Sequence, residues 1–192
     1  MNRWIIIIMS ALLLAGGLYV YSSRSANAEP LEIGADAPDF ETTGALGGKP
    51  FKISLSDKLK KGPVVLYFFP KAFTEGCTIE ANMFAEATAD FEAAGATVIG
   101  MSGDSMEELS KFSVEECRDK FAVARADSSV MDGYQVRMEP ALALANRISY
   151  VIDQDRKIAL VHNAKNPKGH VQMTLEKVKQ LARAKIAVPP EN

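Results

Sequence analysis

Val64-Val-Leu-Tyr-Phe-Phe69 is apolar at every position. A run this short, without the alternation of a half-solvated strand, fits a strand covered on both faces. It ends at Pro70. Beyond Cys77, Ile79, Met83, Phe84, Ala87 and Phe91 recur at helical spacing, and Gly95 supplies a C-terminal stop. Ala96-Thr-Val-Ile-Gly-Met101 then reads as the next strand. Strand, helix and strand in this order call for a parallel pair with the helix packed across it, which commits the chain to an α/β architecture.

The remaining segments fit around that unit. Residues 29–62 form a leading segment with a small hairpin, in which Phe40-Glu-Thr42 and Phe51 to Leu55 flank the turn-rich Gly44 to Pro50. Ser105-Met-Glu-Glu108 is a capping box opening a helix to about Lys120. Phe121 to Ala126 is a weak strand candidate, and Ser128 to Val136 a short helix. Arg147 to Asp153 and Lys157 to His162 flank a hairpin turn at Asp153-Gln-Asp-Arg156. A last helix over about His170 to Lys185 carries Val171, Leu175, Val178 and Leu181 on one stripe. The sum is a mixed sheet of about five strands with helices on both faces, plus the N-terminal hairpin.

The first 28 residues stand apart from this domain, which begins at residue 29 and runs to 192. Asn2 and Arg3 make a short positive start, Trp4 to Val20 is almost wholly apolar, and Ala26-Asn-Ala28 is a small-x-small cleavage pattern. The segment reads as a signal peptide, with a retained membrane anchor as the alternative, because the apolar stretch falls just short of the roughly 20 residues of a comfortable span. Either way residues 29–192 are expected outside the cytoplasm, in a periplasm. The net charge of −2 and the absence of basic blocks argue against a nucleic-acid partner. His162 and His170 are too few and too far from the thiols for zinc, and both read as surface or strand-end residues.

The chemistry converges on Cys77. A sulfur at the first turn of a helix meets unpaired N–H groups and the positive end of the helix dipole, an environment that favours the nucleophilic thiolate. Thr74 sits one turn earlier with a hydroxyl that both accepts and donates. Pro70 stiffens the loop and removes a donor. A guanidinium would add permanent positive charge, and residue types alone leave Arg118, Arg125, Arg137, Arg147 and Arg156 open. The plain alternatives are a core cysteine, a strand-ending proline, a helix-capping threonine, a surface arginine and, for Glu80, an ordinary helix residue.

Pro70-x3-Thr74-x2-Cys77, followed by Thr78-Ile-Glu80, resembles the peroxiredoxin active-site motif. Tyr67-Phe-Phe-Pro-Lys71 with Gly76-Cys-Thr78 is most similar to the bacterioferritin-comigratory-protein branch. The likeness continues through Gly100-Met-Ser-Gly-Asp-Ser105, Arg147 to Asp153 and the closing helix. It implies a thioredoxin-like fold and a thiol-dependent peroxidase that needs no metal, haem or flavin. It also implies a peroxide substrate, a thioredoxin-like reductant and a monomer; export points to a periplasmic thiol carrier instead of cytoplasmic thioredoxin. The resemblance selects Arg147 as the arginine and gives Glu80 the task of steadying it. One departure is Glu75, where the family often has proline; a carboxylate turned inward there would work against an ionised sulfur.

Attack on peroxide turns a thiolate into a sulfenic acid, which a second thiol condenses to a disulfide. In one version of the branch the second cysteine lies five residues after the first, but Asn82 stands there. In another it lies on the following helix, which makes Cys117 the candidate resolving cysteine, although Ser113 occupies the usual place one turn earlier. The plain reading of Cys117 is a core thiol beside Met106, Leu109 and Phe121. Disulfides require Cα atoms within about 7 Å, so two cysteines starting in separate helices are expected to need local unwinding. Two further possibilities are a one-cysteine enzyme resolved by an external thiol, and a non-enzymatic exported domain stapled by Cys77–Cys117. A Cys-x-x-Cys oxidoreductase fails at Glu80, and a Cys-x3-Cys copper carrier fails at Ala81.

Overall fold

The computed structural model describes residues 29–139 and 141–187; the expected signal peptide or anchor lies outside them. The strands are β1 (Glu41–Leu46), β2 (Lys49–Ser54), β3 (Val64–Phe68), β4 (Thr97–Ser102), β5 (Ala122–Arg125), β6 (Ile148–Ile152) and β7 (Ile158–Asn163). The helices are α1 (Leu55–Leu59), α2 (Glu75–Ala93), α3 (Met106–Glu115), α4 (Ser128–Gly133) and α5 (Lys168–Ala187). One seven-stranded sheet runs in the order β2-β1-β5-β4-β3-β6-β7. β3 pairs parallel with β4 and antiparallel with β6, so the expected strand–helix–strand unit stands at the centre.

All five residues of β3 are buried, and its pleat divides the core in two. Val65, Tyr67 and Phe69 point to a cluster with Phe84 and Phe91 of α2, Leu109 and Phe112 of α3, and Val171 and Val178 of α5. Val64, Leu66 and Phe68 point the other way, to Leu55 and Leu59 of α1 and Val130 and Met131 of α4. Helices therefore cover both faces, as expected. The Tyr67 ring stacks on Phe84 with centroids 4.3 Å apart. A Cβ on Gly100 would lie 2.7 Å from that ring, so the glycine in β4 makes room for it.

Several details differ from the sequence expectations. The hairpin strands run further, to a two-residue turn at Gly47 and Gly48, both at positive φ, which suits a tight hairpin. That hairpin is part of the main sheet: Gly44 of β1 opposes Ala124 of β5, which turns five expected strands into seven. The helix expected to reach Lys120 stops at Glu115, because Arg118 and Asp119 take left-handed φ of 52° and 56°, a conformation that cannot continue an α-helix. Cys117 accordingly lies in a turn after α3, not within a helix. The short helix α4 ends at Gly133 and not Val136, and α1, capped by Ser54 accepting from the Asp57 N–H at 3.3 Å, was not anticipated.

Candidate active site

The loop from Pro70 to Thr74 carries the chain from the end of β3 into α2. Ala72 N–H donates to Asp104 Oδ2 at 2.7 Å, and Ser102 Oγ donates to the same oxygen at 2.7 Å. Lys71 forms ion pairs with Asp104 and, at 2.9 Å, with Glu108 of α3. Phe73 adopts φ 62°, a left-handed conformation rare for a bulky residue, and its ring meets Phe112 edge-on at 5.2 Å. The loop is thus latched to the end of β4 and to α3. No sequence pattern assigns a role to Lys71, Phe73 or Asp104.

Thr74 is the N-cap residue of α2, but its side chain makes no capping bond. Its hydroxyl donates instead to the Lys71 carbonyl at 2.9 Å, which leaves the oxygen lone pairs turned outward as acceptors. The capping explanation for this threonine is thereby removed. The Thr74 carbonyl accepts the N–H groups of Cys77 and Thr78 at 3.0 and 2.9 Å. The Cys77 N–H is therefore occupied. Among the described residues no backbone acceptor takes the Gly76 N–H, as befits the second position of a helix.

The Cys77 thiol is 1% exposed, at the floor of this helix start. Arg147, immediately before β6, reaches across the sheet and donates through Nη2 to the sulfur at 3.3 Å. Its Nη1 donates to Glu80 Oε2, with the carboxylate wholly buried. Gly76 permits this approach, since a Cβ there would stand 3.1 Å from Arg147 Nη2. Of the five candidate arginines, the structure brings Arg147 to the sulfur. Glu80 does hold it, one helical turn after Cys77. Glu75 is exposed, so the departure from the family pattern does not turn a carboxylate onto the thiol.

Burial raises the Glu80 carboxyl to about 8 from 4.5, against the opposing pull of the Arg147 guanidinium. Glu80 Oε1 has no hydrogen-bond partner; His170 Nδ1 lies 3.7 Å from it. His170 is fully buried, contrary to the expectation of a surface or strand-end residue. It lies between Ser149 Oγ and the Ala164 carbonyl, each 2.8 Å from a ring nitrogen. No local motif marks this residue, because the contacts that bury it come from β6 and α2, far away in sequence.

Cys117 is also fully buried and free. It packs in the cluster that holds Tyr67, Phe84, Leu109 and Phe121, and burial pushes its thiol well above the ordinary cysteine range. Asn82, standing where one version of the branch has its second cysteine, clasps the turn that carries Cys117. Its amide donates to Glu116 Oε2 at 2.9 Å and its carbonyl oxygen accepts from Arg118 Nη2. Ser113 is buried and engaged with Gly48 N–H and the Ser110 carbonyl at 2.9 and 2.7 Å.

A family model described as the AhpC/TSA family matches residues 33–161. Peroxiredoxin Bcp of Escherichia coli (strain K12) is 30% identical over 158 residues, covering 80% of this chain and 99% of that protein. Chloroplastic peroxiredoxin Q of Sedum lineare is 32% identical over 149 residues, covering 77% of this chain and 78% of that protein. Among solved structures, peroxidoxin BcpB from Mycobacterium tuberculosis superposes with a TM-score of 0.70 at 30% identity, covering 79% of this chain and 98% of that one.

Proposed function

The chain belongs to the AhpC/TSA family and is a peroxiredoxin with a thioredoxin-like fold, and we propose that it reduces hydrogen peroxide and organic hydroperoxides through Cys77. The observation that carries the proposal is the contact of the Arg147 guanidinium with the Cys77 sulfur at 3.3 Å, backed by a buried carboxylate on the same guanidinium. The sulfur attacks one peroxide oxygen in line with the O–O bond. The S–O bond forms as the O–O bond breaks, the electron pair leaves on the distal oxygen, and a proton completes water or alcohol. Arg147 and the Gly76 N–H are positioned to meet that developing charge. The Thr74 hydroxyl, its own proton committed to Lys71, accepts from the peroxide O–H and orients it.

Cys77 is left as a sulfenic acid, and Cys117 is the second thiol: its sulfur displaces the hydroxyl, forming the disulfide and releasing water. Burial of Cys117 requires the turn at 116–120 to open first. A thioredoxin-like or other periplasmic thiol carrier then reduces the bridge. The periplasmic location rests on residues 2–28 alone, and the monomer on resemblance alone.

The test is mass spectrometry of the wild type, Cys77→Ser and Cys117→Ser after peroxide. Loss of two hydrogens in the wild type, absent from both variants, supports the two-cysteine cycle. A lasting sulfenate or external-thiol adduct on Cys77 with Cys117 untouched makes it a one-cysteine enzyme. Peroxide survival in all three, with a bridge resisting mild reductant, leaves the stapled non-enzymatic domain.

A further inference from the structure

Behind Arg147 lies a chain of buried polar groups, of which the peroxidase reading uses only the Glu80 oxygen on the guanidinium. Arg147 and Ser149 project from the same face of β6, Glu80 comes from α2 and His170 from α5. Arg147 takes Glu80 Oε2, and Oε1 is left buried and unpartnered, an arrangement that costs free energy unless a proton or a donor reaches it. The geometry of His170 identifies its tautomer. The Ala164 carbonyl can only accept, so Nε2, 2.8 Å from it, carries the hydrogen. Burial holds the ring neutral, its pKa lowered to about 4, so Nδ1 presents a lone pair to the Ser149 hydroxyl at 2.8 Å and to Glu80 Oε1 at 3.7 Å. An anionic Oε1 and a lone pair repel across that gap; a carboxylic acid at Oε1 and the same lone pair attract.

We propose that His170 and Ser149 are positioning residues for the thiol site: they hold the proton on the far oxygen of Glu80, and so determine how much of the Arg147 charge is left for Cys77. The proposal rests on the reading of Cys77 as the reactive thiol. The exchange is Oε1–H with neutral Nδ1 in one form, and Oε1 anion with protonated Nδ1 in the other, with no change in electrons. In the first form Glu80 is a neutral acceptor, and the sulfur is the one anion against the guanidinium. In the second it is divided between sulfur and carboxylate. The other titratable groups packed around this pair are Cys77 on α2, Arg147 beside β6, Tyr67 on β3, whose hydroxyl is buried without a partner, and His162 on β7, whose ring meets His170 edge-on at 4.5 Å.

The test is a double-mutant cycle read by alkylation of Cys77 with iodoacetamide in the full chain. Gln in place of His170 offers Oε1 an amide donor, which favours the anion. H170Q is expected to slow alkylation by about 3- to 10-fold in the wild-type background but by less than about two-fold in E80Q, since the effect passes through Glu80. Across neutral pH, the alkylation profile of the wild type should carry an inflection that moves in H170Q and vanishes in E80Q. Equal factors in both backgrounds would show a role in packing only and overturn the proposal, as would no change in either. If H170Q loses its near-ultraviolet dichroism, S149A is read instead; deleting one hydroxyl should change the rate about two-fold, again only where Glu80 is present. A wild-type Cys77 inert to alkylation sinks the peroxidase reading itself, whereas a reactive Cys77 indifferent to His170 and Ser149 sinks only this inference.

Discussion

The Asn82 clasp is expected to set the speed of disulfide formation. In the proposed two-cysteine cycle the buried Cys117 reaches Cys77 by opening of the turn at 116–120, and that opening breaks the bonds of Asn82 to Glu116 and Arg118. Bonds to charged partners are worth about 1.5–3 kcal/mol when buried. Arg118 is half exposed, with 49% of its side chain accessible, and the salt bridge it adds to Glu86 at 3.4 Å lies on the surface, so about 0.5–1 kcal/mol per bond is the fair figure. Asn82→Ala therefore lowers the cost of opening by about 1–2 kcal/mol, and disulfide formation accelerates about 5- to 30-fold. The left-handed residues Arg118 and Asp119 favour the same opening, because their strain is released when the turn unwinds. The single tryptophan is Trp4, ahead of the domain, so the reaction is followed by rapid quenching and mass spectrometry. The first step, sulfenate formation on Cys77, should keep its wild-type rate. A disulfide rate that is unchanged or slower in Asn82→Ala, with the first step intact, would refute the clasp.

Arg147→Lys should slow sulfenate formation by roughly 10²-fold in rapid-quench measurements, since an ammonium cannot serve Glu80 and the sulfur together as the guanidinium does. Gly76→Ala sets a methyl 3.1 Å from Nη2 and should cost about 10-fold in the same assay while leaving the thermal midpoint within a few degrees. Gly100→Ala places its Cβ 2.7 Å from the Tyr67 ring and should destabilise the fold by about 1–3 kcal/mol in urea titration. Stability should also depend on pH through His170. Between 6.5 and about 4 the unfolded chain binds a proton that the folded ring refuses, so stability is lost as pH falls across that window, by up to about 3 kcal/mol at ~1.36 kcal/mol per unit. Glu80 acts in the opposite sense: its folded value of about 8 lies above 4.5, so its contribution is lost as pH rises through 8. Relative to wild type, the urea midpoint of H170Q should therefore rise as pH falls from 6.5 to about 4.

Local pattern was sufficient wherever a residue's role depends on its neighbours along the chain. The consecutive apolar run announced β3, the capping box placed the start of α3, and the spacing of Pro70, Thr74 and Cys77 marked the candidate active-site loop, because a strand end, a tight turn and a helix start are built from adjacent residues. Choosing Arg147 took the family resemblance; residue types alone left five arginines open.

What pattern could not reach were contacts between segments far apart in sequence. His170 looked like a strand-end residue because its burial is made by Ser149 on β6 and Glu80 on α2, and no spacing within α5 encodes them. Likewise Arg118 and Asp119 end α3 early in a sequence with ordinary helix-forming residues, and the clasp that holds Cys117 there joins α2 to the turn after α3. The chain alone picked out the candidate residues of the active-site loop and the elements that carry them. Tertiary packing decided which charges are desolvated, which lone pairs face each other and how deeply the second thiol is withheld, since each depends on what the rest of the fold excludes from water.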